Sequence, residues 1–270
     1  MITVMKFGGT SVGSAEALKR VAGIIANTEG DRVVVVSAMS GITNFLVNVV
    51  DNPLTDPDGV IEQFRNKHLM TASQLLEGEE LEEFMTEFDS RMDGFRKALM
   101  ADREDPYYKD AVVSQGERFS SLILAFVLRS MDIKSVALTS EDAGIVAMGY
   151  PGNGSADLLN TATGMTMKVR PLLSMNVVPV ITGFYGINSS KVPVTFGRGG
   201  SDYSAAVVAN AIDADMLEIW TDVDGFMTAD PRIIPDAKKI PEMNFGEAAE
   251  LAYFGAKVLH PRTIEPVRLK

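Results

Sequence analysis

The 270-residue chain contains no cysteine. That excludes disulfides, thiolate nucleophiles, zinc–thiolate sites and iron–sulfur clusters. Histidine is scarce: His68 and His260 alone cannot make a multi-histidine metal site within one chain. No apolar run of about 18 residues marks a membrane span. The N-terminus, MITVMKFGG, lacks the basic start and long apolar stretch of a signal peptide. A cytoplasmic protein without a membrane partner is the expectation. Basic excess is also missing, since the formal net charge is −11. The imbalance is local. Residues 51–110 hold 16 acidic against 7 basic side chains, and the other 210 residues hold 20 against 18. A nucleic-acid binder would show a basic face, so no nucleic-acid partner is expected. The acidic stretch reads as the solvated face of helices.

What is present is ordinary globular material. Hydrophobic residues make up 46% and charged residues 23%, enough at this length for a sizeable core. Apolar, β-rich runs alternate with helical patterns. Ile2–Phe7 reads as a strand. Ser14 is a candidate N-cap for a helix whose apolar face is Leu18, Val21, Ala22 and Ile25. Val33–Val36 suits a central strand covered on both sides. A helix is expected from Asn44, two acidic amphipathic helices broken near Gly78 across 59–101, and a helix from Ala111 to Arg129. Short strands follow at Ser135–Leu138, Val177–Thr182 and Met216–Thr221. Between the last two, Ala205, Val208, Ala209 and Ile212 mark another helix face, and Asn244 with Glu247 fits a capping box. Strands separated by helices predict an α/β fold with a mainly parallel sheet and helices on both faces. In such sheets ligands bind at the C-terminal ends of strands.

Four clusters fall where that rule directs attention. Lys6-Phe7-Gly8-Gly9-Thr10-Ser11 ends the first strand. Adjacent glycines let backbone N–H groups approach an anion, a helix N-terminus follows, and Lys6 supplies a mobile cation. The order differs from a Walker A loop, and a tight turn with a surface lysine is the alternative. Gly197-Arg198-Gly199-Gly200-Ser201-Asp202 opens a second helix. Its arginine can pair bidentately with carboxylate or phosphate, while Asp202 could serve only the helix dipole. Two glycine-rich corners, each with a cation, suggest a polyphosphate held between them, and phosphoryl transfer needs mainly positioning and charge neutralisation. The third cluster runs from Glu218 through Thr221, Asp222 and Gly225 to Arg232, which could reach a phosphate or a surface carboxylate. In the fourth, Gly255 to Pro261, Lys257 reads by itself as a solvated or capping cation and His260 as structural.

Together these motifs resemble the aspartokinases of the amino-acid kinase family. The matching segments are KFGGTSVGS (6–14), SAMSGITN (37–44), SQGERFSS (114–121), VPVITGF (178–184), TFGRGGSDYSAA (195–206), IWTDVDGFMTADPR (219–232) and ELAYFGAKVLHPRTIEP (250–266). The resemblance implies a three-layer α/β/α sandwich with a mainly parallel central sheet, formed by one catalytic domain over 1–270. It implies ATP and Mg²⁺ as cofactors and L-aspartate as acceptor, giving 4-phospho-L-aspartate, the first intermediate toward lysine, threonine, methionine and isoleucine. It places Lys6, Phe7, Gly8 and Gly9 on the nucleotide phosphates, with Thr221, Asp222, Met227, Arg232, Lys257 and Val258 completing the ATP site. It places Thr43, Glu117, Arg198, Gly199, Gly200 and Ser201 on aspartate, Glu117 toward its α-ammonium and Arg198 toward a carboxylate. Lys6 and Asp202 are the catalytic pair it implies. Met227 stands where many relatives carry tyrosine. The chain stops at Val267-Arg268-Leu269-Lys270, where relatives continue into more of the kinase domain and then regulatory domains. C-terminal truncation, an exposed sheet edge and homo-oligomerisation are therefore expected. A family member with another acceptor, or a silent amino-acid or nucleotide sensor, are the competing readings.

Overall fold

β-Branched runs form the centre of the protein. The computed structural model describes residues 1–222, 225–229, 233–234, 236–253 and 259–268. Its strands are β1 (Ile2–Phe7), β2 (Asp31–Val36), β3 (Ser135–Leu138), β4 (Ala147–Tyr150), β5 (Asn153–Ala156), β6 (Val178–Thr182), β7 (Tyr185–Ile187), β8 (Pro193–Thr195) and β9 (Met216–Trp220). Its helices are α1 (Ala15–Asn27), α2 (Ile42–Asp51), α3 (Pro57–Ala72), α4 (Gly78–Leu99), α5 (Tyr108–Val113), α6 (Gln115–Arg129), α7 (Ser140–Ala143), α8 (Leu158–Lys168), α9 (Arg170–Ser174), α10 (Gly200–Ala211) and α11 (Phe245–Tyr253). Five strands form one parallel sheet in the order β3-β6-β2-β1-β9. Two antiparallel pairs, β4–β5 and β7–β8, stand apart from it.

The run Val33–Val36 explains the layering. All four valines are fully buried, and successive side chains of a strand point to opposite faces. Val34 and Val36 join Met5 and Phe7 in a cluster with α1, α2, α3, α4 and α6. Val33 and Val35 join Val4 and Ile181 in a second cluster with α8, α9 and α10. Burying each such side chain contributes roughly 1.5–3 kcal/mol before entropy is subtracted. A sheet covered on both faces leaves its strand ends as the open surface, and there the motifs converge.

Local signals set several boundaries as expected. Ser14 accepts from the Ala17 N–H and caps α1. Asn244 and Glu247 exchange the two hydrogen bonds of a capping box ahead of α11. Other boundaries differ. The helix expected from Asn44 starts at Ile42, because Gly41, at φ 83°, turns the chain into it. The strand expected from Val177 starts at Val178, and the last strand ends at Trp220 rather than Thr221. The helix expected over Ala111–Arg129 begins at Tyr108 and is interrupted at Ser114. There the Ala111 carbonyl accepts from Ser114 Oγ and Gln115 Nε2, side-chain donors that compete with the backbone. The stretch Tyr108–Arg129 is also long and apolar enough to cross a membrane by length and composition, although charged and polar residues interrupt it so that it is no unbroken apolar run. It is instead the core helix of the fold, 89% buried.

The acidic helices pay for their solvated face with an aromatic one. Phe64, Phe84, Phe88 and Phe95 are fully buried; the first three meet Phe119 or Phe126 of α6 edge-on, and Phe95 lies tilted against Phe64. His68 sits among them, fully buried, its Nδ1 on the Phe64 carbonyl and its Nε2 without a partner. Burial holds its pKa down at about 4. The unfolded chain takes up this proton near pH 6.5 and the folded chain only near 4, so stability falls as pH drops through that window. Chemical denaturation at pH 7 and pH 4.5 should show a loss on the order of 3 kcal/mol from this residue. His68→Leu should flatten that part of the slope, and an equal slope in the variant would assign it to other groups.

Candidate active site

Three strands of the parallel sheet end at one cavity of about 450 Å³. From the end of β1 come Lys6, Gly9 and Thr10. From the end of β2 come Ser37, Ala38, Met39, Ser40 and Gly41, followed by Thr43 and Asn44 of α2. Phe184 follows β6, Glu117 reaches in from α6, and the segment Gly197–Asp202 closes the side where β8 leads into α10. The loops brace each other: the Ser37 N–H donates to Phe7 O, Ser40 N–H to Gly9 O, and Gly183 N–H to Val36 O. Phe184 adopts φ 78°, a strained conformation for a bulky residue, and its carbonyl accepts from the Phe196 N–H.

Charge is arranged asymmetrically around this space. Lys6 Nζ lies 2.6 Å from Asp202 Oδ1, both side chains being mostly buried. The contact is an ion pair, without the alignment of a good hydrogen bond. The cation expected to be mobile is thus held at the first turn of α10, and Asp202 does more than complement a helix dipole. Glu117 is 2% exposed. Its Oε1 accepts from the Ala38 N–H at 3.0 Å, while Oε2 has no partner. Burial dominates and pushes its pKa up to about 8, against opposing backbone hydrogen bonds and the charges of Arg118 and Lys6. Arg198 is exposed at the cavity, and no described residue forms an ion pair with it. The cavity therefore offers one compensated cation, one free guanidinium and one carboxyl group waiting for a positive charge. That set suits a ligand carrying both an ammonium and carboxylates, next to an anion held at Lys6.

The structure brings together Lys6, Gly9, Thr43, Glu117, Arg198, Gly199, Gly200, Ser201 and Asp202. Phe7 is a fully buried core residue stacked on Trp220, with ring centroids 6.0 Å apart. Gly8 stands beside the Lys6 ammonium without lining the cavity; a Cβ there would lie 3.5 Å from Nζ. Thr221 and Asp222 follow β9, the neighbour of β1, so they share the same sheet edge outside the cavity lining. Thr221 Oγ1 donates to Asp222 Oδ1 at 3.1 Å. Met227 is half-buried and bridges Lys239, away from the cavity. Arg232, Lys257 and Val258 lie outside the described residues. His260 accepts from the Arg262 N–H and abuts Gly199, where a Cβ would come within 2.5 Å of its own Cβ. Ser37, Ala38, Met39, Ser40 and Phe184 also line the site without having been singled out as site residues. Their signal was membership of the segments SAMSGITN (37–44) and VPVITGF (178–184), which follow or end the strands β2 and β6.

The family model described as "Amino acid kinase family" matches residues 1–270. The chain belongs to the amino acid kinase family. This amino acid kinase is 35% identical over 279 residues to lysine-sensitive aspartokinase 3 of Escherichia coli K12, covering 98% of the chain and 59% of that protein. It is 36% identical over 269 residues to the aspartokinase of Rickettsia felis, covering 98% and 55%. The crystal structure of E. coli aspartokinase III in complex with aspartate and ADP superposes with a TM-score of 0.88 at 34% identity, over 99% of this chain and 59% of that one. The chain thus spans less than three-fifths of the length of these relatives. The three-layer arrangement with a mainly parallel sheet is the family's fold.

Glu117 makes the ligand-free kinase fold sensitive to pH in a specific direction. The unfolded chain loses this proton near pH 4.5 and the folded chain near 8. Between those values the fold holds a proton that the unfolded chain has released, so stability falls as pH rises. Denaturation curves from pH 5 to 9 should show this decline in the wild type and a flatter profile in Glu117→Gln. Parallel profiles would place an already ionised Glu117 in the empty site.

Proposed function

We propose that this chain carries an aspartate kinase centre that transfers the γ-phosphoryl group of ATP to the side-chain carboxylate of L-aspartate, giving 4-phospho-L-aspartate and ADP. The observation that carries the reading is one cavity holding both the Lys6–Asp202 ion pair and the opposed pair Glu117 and Arg198. Support comes also from relatives named aspartokinase and from a similar structure solved with aspartate and ADP. The place of the reaction is the start of lysine, threonine, methionine and isoleucine synthesis, in the cytoplasm and in a self-associating protein.

The chemistry asks little acid–base help. A carboxylate nucleophile is already ionised at pH 7, so no general base is needed. The barrier is electrostatic: an anion must approach a polyphosphate. Lys6 sits where β1 meets Gly8 and Gly9 and neutralises charge on the transferring group. Arg198 takes one acceptor carboxylate, Glu117 takes the ammonium, and the bound substrate is held in line. Ionised by that ammonium, Glu117 surrenders its proton on binding. Thr221, Asp222 and Met227, with Arg232, Lys257 and Val258, serve the nucleoside and outer phosphates. Asp202 offers a single carboxylate, a donor set that fits a Mg²⁺ bound chiefly through nucleotide phosphates and water. Among the described residues no group of three acidic or histidine side chains forms a dedicated cage. Mg²⁺, when bound with ATP, would supply further charge neutralisation.

An aspartate-dependent ATP turnover assay with hydroxylamine trapping of the acyl phosphate tests the reading. Aspartyl hydroxamate is the expected product; trapping only with acetylglutamate, glutamate or another acceptor would replace it. Lys6→Ala should lower kcat by about 10²–10³, equivalent to roughly 3–4 kcal/mol, with a smaller effect on the KM for aspartate. Asp202→Asn should fold normally and lose at least about tenfold in kcat, or about 1.4 kcal/mol. A near-normal kcat in either variant would remove that residue from the reacting centre.

A further inference from the structure

The acceptor arginine is carried on a glycine-flanked loop whose own turn is closed by the Gly200 N–H donating to Gly197 O at 3.0 Å. Gly197 and Gly199, on either side of Arg198, have φ of 74° and 72°, and neither has a side chain to anchor it. Glycine loses the most conformational freedom on ordering, so a fixed geometry here gains from attachments outside the loop. Two attachments of opposite charge, one buried and one half-buried, serve here.

The first is Asp110 of α5, 1% exposed and far from the loop in sequence. Its Oδ2 accepts from the Thr195 N–H and the Gly152 N–H, each at 2.8 Å, and Oδ1 accepts from Thr195 Oγ1 at 2.9 Å. One carboxylate thus ties the end of β8, two residues before Gly197, to the turn of the β4–β5 hairpin. That turn touches the loop directly, since a Cβ on Gly197 would lie 3.1 Å from Gly152 O. The second attachment is Arg262. Its Nη1 donates to Phe196 O at 2.9 Å, and its Nη2 donates to Gly154 O at 2.7 Å. Asn153 Oδ1 and Ser155 Oγ accept further contacts, and the guanidinium stacks over Tyr203 of α10. Asp110 and Arg262 therefore fasten the same two segments, 152–155 and 195–196, at separate points. Neither side chain lines the cavity. Ion-assisted hydrogen bonds of this kind, multiply engaged, are the strong ones.

We propose that Asp110 and Arg262 are positioning residues for Arg198, and that together they set the affinity of the site for the acceptor carboxylate. The proposal rests on the aspartate kinase reading and extends it to residues that touch neither substrate. A displacement of about 1 Å in a charge-recognition group can cost up to about 10²-fold, so loosening this loop acts on acceptor binding before it acts on the fold. Among the described residues, the hydrogen bonds of both side chains go to segments 152–155 and 195–196 and not to β1 or β9, the nucleotide side.

Steady-state kinetics and amide hydrogen exchange test it together on the full chain. Asp110→Ala and Arg262→Ala should each raise the KM for aspartate at least about tenfold and leave that for ATP within about twofold. Amides of Phe196–Asp202 should exchange faster in both, with β1 and β2 still protected. Asp110→Asn should recover most of the affinity, because its carbonyl can take the place of Oδ2 and the Thr195 hydroxyl can turn to accept. Arg262→Lys should not recover it, because an ammonium cannot span both carbonyls as a fork. If the alanine variants do not fold, Thr195→Val removes only the Oδ1 contact, and a raised aspartate KM with unchanged ATP KM is again the expected result. Equal losses for both substrates, an unchanged aspartate KM, or unchanged exchange over 196–202 would each overturn the proposal. Should the wild type turn over a different acceptor, the exchange data still judge the attachments, so failure of the functional reading is seen separately.

Discussion

A parallel sheet covered on both faces leaves its chemistry one outlet, the C-terminal ends of its strands. Lys6 stands at that outlet. β1 is buried from Thr3 to Phe7, and its lysine lines the cavity paired with Asp202 at the start of α10. The pair joins the first strand to the helix that opens from the glycine-rich loop. Buried ion pairs yield little net stability once desolvation is subtracted. This one is better understood as a way of keeping a cation at the end of β1 in the absence of a polyanion. The cavity is arranged around it, with Glu117 of α6 and the Gly197–Asp202 segment lining it and β9 ending beside β1.

The acceptor side shows how burial prepares a binding group. Glu117 is held by the Ala38 N–H through one oxygen only, and desolvation keeps the carboxyl largely protonated at neutral pH. In the proposed function an incoming ammonium would supply the missing partner and the missing charge together. Gly116 makes the placement possible: a Cβ there would sit 2.6 Å from that of Ala38, so α6 can press against the loop after β2 only without one. Arg198, by contrast, is exposed between two glycines of positive φ, and the segment leading to it is fastened by Asp110 and Arg262. One acceptor group is therefore set by the core, the other by braces at the periphery.

Legibility followed the range of the interaction. Ile2–Phe7 and Ser135–Leu138 were readable residue for residue, because a run of β-branched and apolar side chains between turn signals has one good solution. The break at Ser114 was not, because it depends on which donors reach the Ala111 carbonyl. Among site residues, those inside a motif with a visible chemical type were found: Lys6, Glu117, Arg198 and Asp202 all line the cavity. Phe7 had been grouped with the phosphate loop, yet the alternation of a strand turns its ring into the core against Trp220. Asp110 passed as one carboxylate in an acidic stretch; nothing local distinguishes it from its solvated neighbours.

The amino-acid sequence by itself determined the α/β layering, the positions of the sheet strands, the two glycine-rich corners and the kinase family. These follow from periodicity and from short motifs, which are properties of neighbouring residues. Only the tertiary structure decided that Lys6 pairs with Asp202, 196 positions away, that Glu117 keeps an unpartnered oxygen, and that Asp110 and Arg262 brace the same loop. Each of those depends on the register and packing of elements distant in the chain. Burial and partner, rather than residue type, then set what a charged side chain does.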